Sequence, residues 1–179
     1  MHQWKVDTDG TPLNPDRLVI DLDPGEPAGL HECARVALLV RDALAERDLT
    51  CTPVTSGSKG LHLYAALPAS ERQSLDSDGT TALAKEVAEG LQAEHGALVT
   101  ATMTKAKRPG KVFLDWSQNS GSKTTVSPYS LRGRERPTVA TPLTWAEVEA
   151  GAEDELALEQ FSMEQVLERV AELGDVFEA

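Results

Sequence analysis

The sequence predicts an α+β domain whose sheet follows a split βαβ plan, and three observations lead there. Apolar residues alternate between strand and helix spacing in the order β-α-β-β-α-β. The two middle strands are separated only by Ser56-Gly57-Ser58-Lys59-Gly60, which fits an antiparallel pair set between two helices. The chain has 179 residues and few aromatics, so one domain with an aliphatic core is the simplest organisation.

Residues 1–17 are polar, with turns expected at Asp9-Gly10 and Asn14-Pro15. Leu18-Val19-Ile20-Asp21-Leu22-Asp23 reads as a buried strand that runs into the Pro24-Gly25 turn. Strand side chains alternate, so Asp21 and Asp23 share one face while Leu22 takes the other. Two carboxylates this close repel unless a cation lies between them, and hard oxygen ligands suit Mg²⁺ or Mn²⁺. An Asp-x-Asp before a turn is also compatible with a plain loop start. Residues 30–47 read as a helix, with Leu30, Ala34, Ala37, Leu38, Arg41 and Leu44 at helical spacing.

Strands are expected over 49–55 and 61–67. The loop between them is either a plain hairpin turn or a set of backbone N–H groups facing an anion, with Ser56 adding a hydroxyl and Lys59 a charge. It is not a Walker loop, because the spacing differs and a strand follows where a helix should. His62 opens the second of these strands, and its face is undecided by pattern. Residues 68–79 read as a polar loop and 80–94 as a helix, with Leu83, Val87 and Leu91 on one side.

Residues 98–103 are strand-like, 105–110 form a basic turn, and 111–116 form a strand that delivers a third carboxylate, Asp115. A turn at 119–122 and an extended stretch at 124–126 follow. Arg132-Gly133-Arg134 presents two guanidiniums suited to phosphate oxygens. Residues 144–149 and 162–173 are helical. The second opens on the capping box Ser162 to Gln165 and stops at Gly174, and Met163, Val166, Val170 and Leu173 are expected in the core.

This element order is that of ferredoxin-like and RNA-recognition-like sheets, in which the first and last strands lie near each other at the centre. Asp21, Asp23 and Asp115 would then share a face. Three carboxylates so placed are what two-metal phosphoryl or nucleotidyl transfer needs.

The net charge of −12 argues against indiscriminate binding to a polyanion. The charge is uneven. Residues 104–136 carry eight Lys or Arg against Asp115 and Glu135, while residues 147–179 carry eleven acids against Arg169 alone. The first segment puts basic groups beside the acidic site, and the second reads as a solvated acidic face. Cys33 and Cys51 suggest neither a disulfide framework nor a thiolate metal site, which fits a reducing cytoplasm. No signal peptide and no apolar run long enough to span a membrane are present. His2 is either simply exposed or a phosphate-binding group near the metals.

The motifs at residues 18–25, 56–64, 112–119 and 124–134 together resemble the polymerase domain of bacterial DNA ligase D, an archaeo-eukaryotic primase-type polymerase of non-homologous end joining. The resemblance runs from His2-Gln3-Trp4 to Pro142-Leu143-Thr144-Trp145. It implies the primase catalytic core with C-terminal helices over residues 1–179. It makes Asp21, Asp23 and Asp115 the metal-binding, catalytic carboxylates. It makes Ser56, Lys59 and His62 the motif that grips the triphosphate. Arg132 matches a nucleotide-binding arginine and His2 the histidine of a His-x-Trp motif near the nucleotide. Gln118, Arg108 and Arg134 are further carry-overs, with DNA phosphates as alternative contacts for the two arginines.

The implied activity is template-directed addition of nucleotides, often ribonucleotides, to a DNA 3′-hydroxyl at a break, supported by Mn²⁺ or Mg²⁺. The implied partners are DNA ends, nucleoside triphosphates, Ku and a ligase, in a bacterial cytoplasm and at the nucleoid during repair. The family domain carries a further portion before the His-x-Trp motif, where Met1 stands here. The expectation is therefore the C-terminal part of that domain, with a segment that another chain could supply. On that ground an inactive nucleotide-binding or end-joining interaction module is the alternative.

A strand ending in Asp-x-Asp also opens haloacid-dehalogenase-like phosphatases, whose first Asp is a nucleophile. Thr55 or Ser56, Lys59 and Asp115 would mimic the later motifs of that family. Pro24-Gly25 after the second Asp and the immediate return of the chain as a strand after Ser56 speak against it, and it leaves the basic segment without a role.

Overall fold

The structure is a computed structural model that describes residues 1–72 and 74–177, Glu71 for its backbone alone. The chain opens on a two-stranded ribbon, β1 (Trp4–Val6) and β2 (Pro12–Pro15). The pattern did not signal it, because its side chains are largely exposed and no apolar alternation is needed to hold it. Asn14-Pro15, expected as a turn, lies within β2, and Pro15 pairs with Trp4.

β3 (Arg17–Pro24) follows, then α1 (Leu30–Ala45), β4 (Cys51–Thr55), β5 (Leu61–Ala66), the short α2 (Ala69–Arg72) and α3 (Ser77–Glu94). β6 (Val99–Thr100) and β7 (Val112–Asp115) complete a five-stranded sheet of order β4-β5-β3-β7-β6. With β6 set aside this is the split βαβ order, and β3 is central, antiparallel to β5 on one side and β7 on the other. The stretch 98–103 contributes only the two residues of β6, an added edge strand parallel to β7. α3 begins three residues earlier than apolar spacing alone marks, because Asp76 caps it by accepting from the Gly79 N–H at 2.8 Å.

The alternation along β3 sorts the molecule into two faces. Leu18, Ile20 and Leu22 point to the back, where α1 and α3 bury Ala34, Ala37, Val40, Val87 and Leu91 against them. Truncating Leu22 to alanine there would cost about 2–5 kcal/mol. Val19, Asp21 and Asp23 point to the front. That face carries only a small apolar cluster, Val19, Val54, Tyr64 and Ala140, partly covered by Met1, Val126 and Phe177. The rest of the front is left to polar side chains.

After β7 the chain forms a 3₁₀ turn over Trp116–Asn119, then the ribbon β8 (Leu131–Arg132) and β9 (Thr138–Val139). Residues 141–143 run along the outer edge of β4, with Thr55 N–H bonded to Thr141 O and Leu143 N–H to Pro53 O, so this edge does not stand open. α4 (Trp145–Glu153) packs on α1, where the Arg41 guanidinium lies 5.0 Å from the centre of the Trp145 ring.

α5 (Met163–Leu173) has the expected capping box. Its apolar stripe is not in the core as expected. Only Val166 is buried, whereas Met163, Val170 and Leu173 are 50%, 41% and 48% exposed. The inward side of the helix is shared with Arg169, which pairs with Glu147 of α4, so the stripe is turned partly to solvent. No helix among the described residues is long and apolar enough to cross a membrane.

Candidate active site

The register of the sheet builds the site. Asp21 stands directly opposite His62 of β5 on one side and Asp115 of β7 on the other. Asp23 follows two residues along β3 on the same face. Asp21, Asp23 and Asp115 each offer an oxygen, and these lie within 4.8 Å of one another. This donor set of hard oxygens fits a divalent cation.

The three carboxyls differ in their surroundings. Asp21 is buried, which works against its charge. His62 Nε2 lies 3.3 Å from Oδ1 and Gln118 Nε2 donates to Oδ2 at 3.0 Å, and with the Lys123 charge they hold the carboxyl below the usual range. Asp23 stands at the mouth and has none of these partners. Crowding by the cleft walls and the charges of Asp21 and Asp115 push it up to about 6. Asp115 is held by the Ser117 N–H, at 3.0 Å from Oδ1, and by the Ser117 hydroxyl. Negative charge is thus concentrated here beyond what protein donors satisfy, which is the condition a metal ion relieves.

Asp21 and Asp23 open onto a cleft of about 480 Å³ lined also by Ser56, Lys59, His62, Arg108, Gln118, Arg132 and Arg134, with Thr124, Thr125 and Val126 as one wall; Asp115 is not among its lining residues. One end of the cleft is therefore acidic and the remainder basic. The loop that carries Ser56 and Lys59 is shaped by its glycines. A Cβ on Gly60 would stand 1.9 Å from the Leu22 carbonyl oxygen, so only glycine lets the loop lie against β3. Gly57 has φ +63°, and a Cβ there would meet Arg132 Cγ at 2.6 Å. Ser56 Oγ accepts the N–H groups of Ser58 and Gly60 at 3.2 and 3.1 Å. Those two donors serve the turn itself rather than a ligand.

Lys59 is exposed, with Nζ 3.1 Å from Glu26 Oε1. Arg134 donates to Ser58 Oγ, and Arg132 projects from β8. Arg108 stacks its guanidinium 3.6 Å from the centre of the Phe113 ring and donates to the Met103 carbonyl at 3.0 Å. His62 faces the cleft, which settles its side of the strand. His2 is not among the lining residues. Its ring stacks on Trp4 with centroids 4.7 Å apart, and Nδ1 lies 2.9 Å from the Lys123 carbonyl oxygen.

Sequence reasoning did not single out Lys123, Ser117, Asn119 or Tyr64. Lys123 Nζ lies 3.5 Å from Asp115 Oδ2. Tyr64 donates its hydroxyl to the Val126 carbonyl at 2.7 Å and so fixes the cleft wall to β5. Tyr64 sits two residues after His62, a spacing that places it on the same face.

A sheet of this order, with clustered carboxylates on one face beside basic side chains, has the arrangement of metal-dependent phosphoryl- and nucleotidyl-transfer folds. Comparison with known proteins narrows the class to one family. Residues 1–177 match the model of the LigD primase-polymerase domain, and the chain belongs to that family. It is 54% identical over 181 residues to a multifunctional non-homologous end joining protein LigD of Mycobacterium bovis, covering 98% of this chain and 23% of that protein. The LigD of Mycolicibacterium smegmatis is 48% identical, covering 97% and 22%. Among solved structures, the polymerase domain of Mycobacterium tuberculosis ligase D in complex with DNA is 52% identical with a TM-score of 0.87, covering 98% of this chain and 60% of that one. The chain thus spans about a quarter of the curated relatives and about three fifths of the solved domain.

Proposed function

We propose that this chain carries the nucleotidyl-transfer face of an end-joining polymerase, which adds nucleotides, ribonucleotides by preference, to a DNA 3′-hydroxyl at a break. The observation that carries this reading is the acidic triad, two of whose members, Asp21 and Asp23, line the same cleft as Lys59, Arg108, Arg132 and Arg134. Family membership and the likeness to a polymerase domain in complex with DNA support it.

In this reading Asp21, Asp23 and Asp115 hold two Mn²⁺ or Mg²⁺ ions. Bound there, the ions lower the pKa of the attacking hydroxyl and neutralise charge on the triphosphate. Lys59, Arg132 and Arg134 take the phosphate oxygens by charge-assisted hydrogen bonds. His62 and Gln118 keep Asp21 ionised and oriented. Arg108, braced on Phe113, faces nucleotide or DNA phosphates at the cleft mouth. His2 acts from beside the cleft through the Lys123 backbone or on an incoming nucleic acid. Ku and a ligase are the proposed partners at DNA ends, on family membership alone.

The test is incorporation of a labelled ribonucleotide on a gapped template-primer with Mn²⁺ and with Mg²⁺. Incorporation by the wild type that Asp21→Ala abolishes without unfolding supports the reading. A folded wild type that binds triphosphate and incorporates none would instead support the interaction-module reading. That alternative is favoured by one fact, a net charge of −12 that suits DNA binding poorly.

A further inference from the structure

We propose that Lys123 is a resident counter-cation of Asp115 that competes with the divalent ion of the triad. The inference rests on reading the triad as a metal site.

The two oxygens of Asp115 are used differently. Oδ1 is taken by the N–H and hydroxyl of Ser117. Oδ2, the oxygen left for a metal, has the Lys123 ammonium 3.5 Å away, and the same ammonium is bonded to Ser117 Oγ. Asp23, at the other corner of the triad, has no hydrogen-bond or ion-pair partner for its side chain among the described residues. One corner is therefore open and the other is stoppered.

The stopper is movable on a fixed stem. The Lys123 side chain is 41% exposed, and an unbranched four-carbon chain lets its head group leave for water without moving the backbone. The backbone is tied on both sides, the Lys123 N–H to Ser120 O at 2.9 Å and the carbonyl to His2 Nδ1 at 2.9 Å. An ion held by Asp21 and Asp23 can coexist with the ammonium. An ion that also engages Asp115 Oδ2 meets a positive charge already on that oxygen and must displace it. Loading is then staged. The last ligand would join only as Lys123 swings out, its ammonium passing from Asp115 to water.

Mn²⁺ titration without nucleotide, followed by the electron paramagnetic resonance signal of the free ion, tests this on the wild type and on Lys123→Met, Lys123→Gln and Lys123→Arg, with circular dichroism to verify folding. The expected result is Mn²⁺ binding about three- to tenfold tighter when the charge is removed and little changed in Lys123→Arg. In an Asp115→Asn background, removing the Lys123 charge should have a clearly smaller effect, the part that acts through Asp21. Unchanged or weaker binding in Lys123→Met and Lys123→Gln overturns the inference and leaves the metal site standing. A wild type that binds no Mn²⁺ overturns both.

Discussion

The side-chain amide of Asn119 pairs with both backbone groups of Val19. Its Oδ1 accepts the Val19 N–H at 2.8 Å and its Nδ2 donates to the Val19 carbonyl at 2.7 Å. The ladder between β3 and β7 ends at the Asp21–Asp115 pair, and Asn119 continues it for one more step with a side chain. The turn that carries Gln118 and Ser117 is thereby pinned to the strand that carries Asp21.

Asn119→Ala is therefore expected to cost about 2–4 kcal/mol, since it leaves two buried backbone groups of Val19 unpaired. Urea unfolding monitored by circular dichroism reads this as a lower midpoint. Metal affinity should fall with it, through the loosened Asp115 turn. A midpoint within experimental error of the wild type would sink the pinning argument.

Asp23→Asn should separate stability from binding. The wild-type carboxyl is pushed up to about 6 by crowding and by its two acidic neighbours, so at neutral pH its charge opposes folding of the metal-free chain. Discounted for its water-exposed position, the substitution should stabilise that chain by about 0.5 kcal/mol while weakening Mn²⁺ binding at least about tenfold. Thermal melts with and without Mn²⁺ give both numbers. A lower melting temperature without metal would contradict the account.

Gly60→Ala should disrupt the loop that presents Ser56 and Lys59, because the new Cβ would meet the Leu22 carbonyl oxygen at 1.9 Å. A cost of about 2–3 kcal/mol is expected, with weaker nucleotide binding by calorimetry. A variant as stable as the wild type would mean that the loop does not lie against β3.

Acid should loosen the link between α4 and α5. Burial works against the Glu147 charge, but Arg169 and the Thr144 cap bonds hold its carboxyl below the ordinary 4.5. A lowered folded-state value gives stability that is complete above 4.5 and lost as pH falls through that lowered value. Glu147→Gln should cost about 1–2 kcal/mol at pH 7, and the gap to the wild type should close below pH 4.5. Melts across pH 3–7 check the sign; a gap that widens in acid refutes it.

Leu167→Glu should leave stability within about 0.5 kcal/mol of the wild type, because this side chain is 63% exposed on α5. A large loss would mean that the apolar stripe of α5 is covered in solution.

What the sequence displayed, and what it hid, divides along physical lines. The central strand was legible because burial on both faces demands aliphatics, so Asp21 and Asp23 interrupt the run visibly. Asp115 was legible for the same reason, as the acid near the end of an apolar run, whereas Ser56 stood out only as part of the loop of serines and glycines between two strands. The α5 stripe misled because periodicity reports that a face is apolar and not that anything covers it. The β1–β2 ribbon was silent because backbone pairing and exposed side chains hold it. Lys123 could be counted as a charge, but its place beside Asp115 depends on the fold of the turn after β7, which no spacing rule fixes.

Both ends of the described chain reach the same small patch on the front of the sheet. The Met1 carbonyl accepts the Thr125 N–H at 2.8 Å, and the Phe177 ring packs edge-on against Tyr64 with centroids 5.6 Å apart. Anything joined before Met1, whether an affinity tag or a neighbouring domain, thus starts its path beside this front patch rather than behind the helices. A short tether from such a point holds its cargo at high effective concentration over the carboxylates. A histidine tag placed there would itself be a competitor for the metal, and a cleavable one is the safer choice for any Mn²⁺ titration.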